Sequence, residues 1–138
     1  MQLVAYLLLD GNAEEAFDFY ARCLDGKVTR LSRYGEAPPE MPMPPAMCDK
    51  VMHIRLEVGD QVLMGSDAMA SMGPYEPIKS CSVAIQVDTP AEAERVFQAL
   101  VEGGTVQMPI GETFWSARFG MLVDRYGVPW MVNCQPAP

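Results

Sequence analysis

The sequence predicts an α+β fold made of two βαβββ modules. The first observation behind this is an internal repeat: residues 10–28, moved forward by 78 positions, fall without a gap on residues 88–106. Seven of the nineteen pairs are identical, namely Asp10/Asp88, Ala13/Ala91, Glu14/Glu92, Phe19/Phe97, Ala21/Ala99, Gly26/Gly104 and Val28/Val106. The second is that both copies run through the same succession of apolar run, turn or cap, amphipathic helix, glycine and second apolar run. The third is that each copy is followed by two further strand-like runs. A duplicated supersecondary unit implies two similar halves, with function expected in a cleft that they share.

Residues 3–9 form a continuous apolar run that reads as a buried first strand, and Gly11-Asn12 then supplies a turn with Asn12 as helix N-cap. In the helix that follows, Ala16, Phe19, Tyr20, Cys23 and Leu24 recur at three and four, leaving Glu14, Glu15, Asp18 and Arg22 for water, and Gly26 is expected to stop it. Residues 27–34 read as a second strand. Residues 35–49 hold Pro38, Pro39, Pro42, Pro44 and Pro45, a proline density that a sheet interior does not accept, so a long irregular loop is expected. Residues 51–58 alternate, with Met52, Ile54, Leu56 and Val58 on one face and His53, Arg55 and Glu57 on the other. Gly59-Asp60 turns this strand into another at 61–66.

Module one is thus expected at 1–68 and a linker at 69–79, with module two at 80–138, all within one domain. The second module reads as a strand at 81–87, a helix capped by Thr89 with Pro90 at its first position, and a Gly103-Gly104 stop. Strands at 105–108, 118–123 and 128–134 follow, the last two joined by a Tyr126-Gly127 turn.

Ten basic against eighteen acidic side chains give a net charge of −8. That balance offers no basic patch to release counterions, which argues against a nucleic-acid partner and mildly favours a cationic ligand. No apolar stretch approaches the roughly 18 residues of a membrane span, and the opening residues lack the features of a signal peptide, so neither a membrane nor export is expected. Cys23, Cys48, Cys81 and Cys134 are widely spaced, without a CxxC pair and with a single histidine in the chain. Neither a zinc site nor a disulfide framework is indicated, Cys23, Cys81 and Cys134 read as small buried hydrophobes, and a reducing cytoplasm is expected.

The segments YLLLDGNAEEAFDFY (6–20), DKVMHIRLEVGDQVLMGSDA (49–68) and ETFWSARFGMLVDRYGVPWMVN (112–133) give the chain a resemblance that extends over nearly its whole length. It resembles the vicinal-oxygen-chelate superfamily of glyoxalases, bleomycin-resistance proteins and extradiol dioxygenases, and within it the PhnB-like group, sometimes labelled as a demethylubiquinone methyltransferase domain. The resemblance implies a cupped, mixed eight-stranded sheet and a homodimer. It also implies that metal-using members draw four His, Glu or Gln ligands from the first and fourth strands of each module. The matching positions here lie near Val4 to Tyr6, at Ser82, near Met64 to Ser66 and around Met131 to Asn133, and none offers an imidazole or a carboxylate. No metal and no cofactor are therefore expected. The methyltransferase label has no glycine-rich turn after a strand to support it.

Two candidate sites stand out. On the strand at 51–58, His53, Arg55 and Glu57 can share a concave face with Tyr6, giving a pocket with an imidazole, a guanidinium and a carboxylate; the alternative is a solvated outer face with incidental ion pairing. Imidazole is the side chain suited to proton exchange near neutral pH. The other candidate is Glu112, Phe114 and Trp115 with Arg118, a group suited to a planar or polar small molecule; the alternative is that the aromatics close the sheet edge and Glu112 pairs with Arg118. Trp130 reads as core or interface. Met41, Met43 and Met47 form either an adaptable lid or incidental surface.

Two functions follow as expectations. One is a metal-free protein that binds a small molecule in the cleft. The alternative is an enzyme with His53 or Glu112 as general base and Arg55 or Arg118 stabilising a developing anion, with or without a divalent metal.

Overall fold

The computed structural model describes residues 1–136. The chain divides into two compact units, the first ending at Glu76 and the second beginning at Pro77. Each contains one helix and one four-stranded mixed sheet, so the two βαβββ modules of the glyoxalase-like fold are present.

Module one comprises β1 (Tyr6–Leu9), α1 (Ala13–Leu24), β2 (Lys27–Arg33), β3 (Val51–Val58) and β4 (Gln61–Asp67), in the sheet order β1-β4-β3-β2. β1 and β4 are parallel, with Tyr6 opposite Met64 and Leu9 opposite Asp67; the other pairings are antiparallel. Module two repeats this as β5 (Val83–Val87), α2 (Pro90–Val101), β6 (Thr105–Gly111), β7 (Arg118–Val123) and β8 (Pro129–Cys134), in the order β5-β8-β7-β6. The shared strand order is the structural counterpart of the sequence repeat.

In each module the helix covers one sheet face. Ala13, Ala16, Phe17, Phe19, Tyr20 and Cys23 of α1 are buried together with Leu7, Leu9, Ile54, Leu56 and Leu63. Ala93, Val96, Phe97 and Leu100 of α2 are buried with Leu122, Val128, Trp130 and Val132. Repeated glycines permit the close packing. A Cβ on Gly26 would meet the Glu57 carbonyl oxygen at 2.8 Å, and one on its repeat mate Gly104 would run into the Val123 carbonyl oxygen.

Several local expectations are corrected. β1 starts at Tyr6, leaving Leu3 exposed, and β5 starts at Val83, leaving Cys81 exposed rather than buried. Asp25, not Gly26, takes the left-handed C-cap of α1 (φ 55°), a conformation that a short polar side chain tolerates. Asn12 occupies the N-cap position without capping; Oδ1 of Asp67, at the end of β4, instead accepts the Ala13 N–H at 2.9 Å. Thr89 does cap α2, its Oγ1 accepting the Glu92 N–H at 3.1 Å.

β6 runs on through Pro109, which an edge strand with a register shift between Met108 and Gly111 can hold. On β3, Val51 rather than Met52 is buried. Ser32 faces His53 while Arg33 faces Val51, so an extra residue is accommodated on β3 there and the inside-outside alternation is reset. The loop at 35–49 is tied at its base by Tyr34 N–H to the Lys50 carbonyl and Gly35 N–H to the Cys48 carbonyl, and carries short 3-10 turns at Tyr34–Glu36 and Pro45–Met47.

Candidate ligand-binding faces

In module one, α1 covers the side of the sheet that holds Leu7, Leu9, Ile54 and Leu56, so neighbouring positions present their side chains on the open side. Residues directly opposite one another in a ladder share a face. Tyr6, Met64, Arg55 and Arg30 thus form one row across the open face, and Val62, Glu57 and Lys27 form another. Leu8 and Ser66 lie opposite each other in β1 and β4, and Ser32 and His53 in β2 and β3.

The centre of this face is a contact between Tyr6 and His53. The Tyr6 hydroxyl lies 3.1 Å from His53 Nδ1, and the two rings are stacked with centroids 5.8 Å apart and planes 28° from parallel. Two residues further along β3, Arg55 Nη2 lies 3.5 Å from Glu57 Oε1, and both side chains are about one-third exposed or more, at 34% and 40%. Screening by water leaves such a pair worth little to stability. Its effect is to hold one positive and one negative group beside the imidazole. The structure therefore brings Tyr6, His53, Arg55 and Glu57 to one face of one module.

Tyr34 is a member of this neighbourhood that sequence reasoning did not single out. It is buried, and its hydroxyl donates to the Asp67 carbonyl at 2.8 Å. Burial pushes its phenol pKa up, the Tyr6 phenol and Asp67 add to this, and a hydrogen bond with the Ser66 side chain works the other way. The only sequence signal was its place as the last aromatic before the proline-rich loop.

Below the strand ends, Asp67 ties the module together. Besides the Ala13 N–H, it accepts the Val51 N–H at 2.8 Å through Oδ2, linking the start of α1 to the start of β3. Arg33 clamps the loop base nearby, donating to Glu14 Oε2 at 2.9 Å and to the Asp49 carbonyl at 3.0 Å. The Glu14 carboxylate raises the Arg33 pKa further above its ordinary value. A cavity of about 580 Å³ opens beside these elements, with Met47, Met69 and Tyr75 among its walls, so one loop methionine does line a hollow.

In module two, Phe114 and Trp115 stack edge to face with centroids 4.7 Å apart, and Trp115 does the same with Phe119 at 5.6 Å. Thr113 fixes the loop, its Oγ1 accepting the Ser116 N–H at 3.0 Å while its own N–H donates to the Ser116 carbonyl at 3.1 Å. Arg118 is not part of this group. It lies on the helix side, where Nε donates to Glu94 Oε1 of α2 at 3.0 Å, because strand alternation sends adjacent residues Arg118 and Phe119 to opposite faces. Glu112 is exposed on the loop and has no ion pair with Arg118. Trp130 is core, its Nε1 donating to buried Asp124 at 2.8 Å.

The positions that metal-using members of the fold would employ can be tested on their donors. Within the expected stretches, Tyr6 pairs with Met64, Ser66 with Leu8, Met131 with Ala84 and Asn133 with Gln86, and none of these side chains is an imidazole or a carboxylate. Asn133 Nδ2 donates to Gln86 Oε1 at 2.7 Å, so the two amides satisfy each other. Among the described residues no group of three or more His, Cys, Asp or Glu side chains could hold an ion. This donor set does not fit a resident divalent metal.

Comparison with known proteins agrees with the fold. The family model described as 3-demethylubiquinone-9 3-methyltransferase matches residues 1–133. The chain is 31% identical to Protein YjdN of Escherichia coli K12 over 96% of its length and 95% of that protein. Protein PA1353 from Pseudomonas aeruginosa is 50% identical, with 98% of both chains covered and a TM-score of 0.88. A putative 3-demethylubiquinone-9 3-methyltransferase, PhnB protein, from Bacillus cereus is 29% identical, with 97% of this chain and 99% of that one covered and a TM-score of 0.76. At 15% identity, a glyoxalase/bleomycin resistance protein/dioxygenase family enzyme from Burkholderia phytofirmans PsJN shares the fold alone, with a TM-score of 0.60 over 97% of this chain and 96% of that one. By its match over residues 1–133, the chain belongs to the 3-demethylubiquinone-9 3-methyltransferase-like, or PhnB-like, family, whose fold it carries in the two-module, glyoxalase-like form.

Proposed function

We propose that this chain is a small-molecule binding protein that works without a resident metal, holding its ligand on the open face of module one. The observation that carries the reading is the Tyr6–His53 pair, whose rings and polar atoms meet across the face from β1 and β3, with Arg55 and Glu57 beside them. An aromatic wall with one imidazole, one guanidinium and one carboxylate can stack on a planar ligand and bind a polar group of either sign. Methyl transfer is not part of this reading, since no glycine-rich turn follows β1 or β5, where the chain reads Asp10-Gly11-Asn12 and Asp88-Thr89-Pro90.

A homodimer belongs to the same reading. It is supported by the edge strand β6, which exposes Val106 and Met108. A reducing, cytoplasmic setting is supported by four free cysteines, and no helix of the described residues is long and apolar enough to cross a membrane.

One observation favours an enzyme as the second reading. With Tyr6 at Nδ1, His53 has no partner at Nε2 among the described residues, the arrangement of a general base held in position by its neighbour. Fragment screening by thermal shift, followed by affinity and turnover assays on wild type and His53→Gln, separates the two. Binding that weakens in His53→Gln without any conversion supports the first reading, conversion that His53→Gln abolishes supports the second, and binding that is indifferent to His53 contradicts both.

A further inference from the structure

None of the residues around the 580 Å³ cavity of module one belongs to a strand. They come from the turn after β1, the end of the proline-rich loop and the segment that follows β4. The volume is in the range of small-molecule sites, roughly 300–1,000 Å³. The repeat does not carry this cavity into module two. There the loop between β6 and β7 spans only 112–117, too short for counterparts of Met47 and Lys50, and Thr89 stands in the place of Gly11.

Hydrogen bonds brace its walls. Ala68 N–H donates to the Leu9 carbonyl at 2.7 Å, carrying the pairing of β1 and β4 beyond the strands. Met72 N–H and Gly73 N–H close a 3-10 turn onto the Met69 and Ala70 carbonyls, and Gly73 reverses the chain with a φ of 98°. The chain then returns to β1, where the Tyr75 hydroxyl donates to the Leu8 carbonyl at 3.1 Å and fixes the ring as a wall. In the proline-rich loop, Lys50 N–H donates to the Met47 carbonyl at 3.0 Å, which holds both residues in one turn.

Two charges are set among these apolar walls. Lys50 Nζ donates to the Gly11 carbonyl at 3.0 Å, which uses one of its three N–H groups and leaves two. Asp10 lies near Tyr75, whose phenol pKa is raised first by burial and then by the Asp10 carboxylate. Among the described residues neither Lys50 nor Asp10 has an ion-pair partner, each other included. A simple acid on Lys50 would bring a second carboxylate towards Asp10, and a simple amine on Asp10 would bring a second cation towards Lys50. A zwitterion meets both, and it adds no net charge to a chain that already carries −8.

We propose that this cavity binds a free α-amino acid with an apolar side chain, its carboxylate on Lys50, its ammonium on Asp10 and its side chain among Met47, Met69, Pro74 and Tyr75. Methionines adapt to side chains of varied outline, and their sulfur suits an aromatic ring. The site goes beyond the proposed function and shares no residue with the Tyr6–His53 face.

The test titrates L-phenylalanine into the full chain, with hydrocinnamate and phenethylamine as the same side chain lacking the ammonium or the carboxylate. Methionine methyl NMR reads Met47 and Met69, and imidazole NMR reads His53. L-Phenylalanine is expected to move the Met47 and Met69 signals, to leave those of His53 in place, and to bind at least about fivefold more tightly than either analogue, as for one charge-assisted hydrogen bond. Asp10→Asn should bring the preference over hydrocinnamate below about twofold and leave that over phenethylamine intact, and Lys50→Met should do the reverse. Should Lys50→Met fail to fold, Asp10→Asn decides alone, because it replaces an exposed side chain.

Equal binding of the three probes, a preference over hydrocinnamate that survives Asp10→Asn, or no binding at millimolar L-phenylalanine would each overturn the proposal. Movement of the His53 signals without movement of Met47 and Met69 would refute this site and leave the module-one face standing.

Discussion

The Tyr6 hydroxyl and His53 Nδ1 lie 3.1 Å apart although 47 positions separate the residues. Their meeting follows from the sheet order, in which β4 alone separates β1 from β3, and from an alternation that directs both side chains away from α1. The contact leaves His53 Nε2 as the nitrogen available to a ligand.

Replacing Tyr6 with phenylalanine keeps the ring stack and removes the polar contact. His53 is the only histidine, so its imidazole nitrogens give unique NMR signals. Tyr6→Phe is expected to change the ratio of the two neutral tautomers by about fivefold, as for loss of a hydrogen bond of about 1 kcal/mol. An unchanged ratio would mean that stacking alone holds the ring.

Asp67 is buried and holds two backbone N–H groups from separate elements. Asp67→Ala orphans both, at about 1–3 kcal/mol each, so a loss of about 3 kcal/mol is expected in urea unfolding. A loss below about 1 kcal/mol would show that water replaces the carboxylate without strain.

Gly104 and Gly111 bracket β6 yet should respond oppositely to alanine. At Gly104 the new methyl meets the Val123 carbonyl and the Asp124 backbone, whereas at Gly111 nothing lies within 4 Å. Gly104→Ala is expected to cost about 2 kcal/mol or more, and Gly111→Ala to stay within about 0.5 kcal/mol of wild type. Thermal or urea melts of the two variants make the comparison, and similar losses in both would contradict it.

Tyr34 gives a pH dependence with a definite sign. Its pKa is raised in the folded chain, first by burial, so between the unfolded value near 10 and the higher folded value the native state binds more protons. Its contribution is complete below about pH 10 and is lost as pH rises towards the folded pKa. Urea midpoints should fall above about pH 10, and less steeply in Tyr34→Phe. An equal fall in both would assign the effect to other groups.

The fold was legible because duplication supplied the same pattern twice, and the alternation in β3 placed His53, Arg55 and Glu57 on one face correctly from parity alone. Parity failed at Met52, where the register shift against β2 resets it, and a bulge leaves no mark in a run of alternating residues. Arg118 stands apart from Phe114 and Trp115 because nearness in sequence is not nearness in space where a strand begins, adjacent strand residues facing opposite ways. The Asp67 staple and the Asn133–Gln86 amide pair join residues remote in sequence, and only strand register brings them together. Asn12 had the right residue type for a cap, but Asp67 supplied the bond to the first helical N–H.

The most direct measurement is the affinity of fragment hits for wild type, Tyr6→Phe and His53→Ala, by calorimetry, with the His53 imidazole signal followed in the same titrations of wild type. Hits are expected to move the imidazole signal, to bind about tenfold more weakly to His53→Ala and to lose a smaller factor in Tyr6→Phe. Hits that bind all three proteins equally and leave the imidazole signal in place would contradict a ligand site on this face.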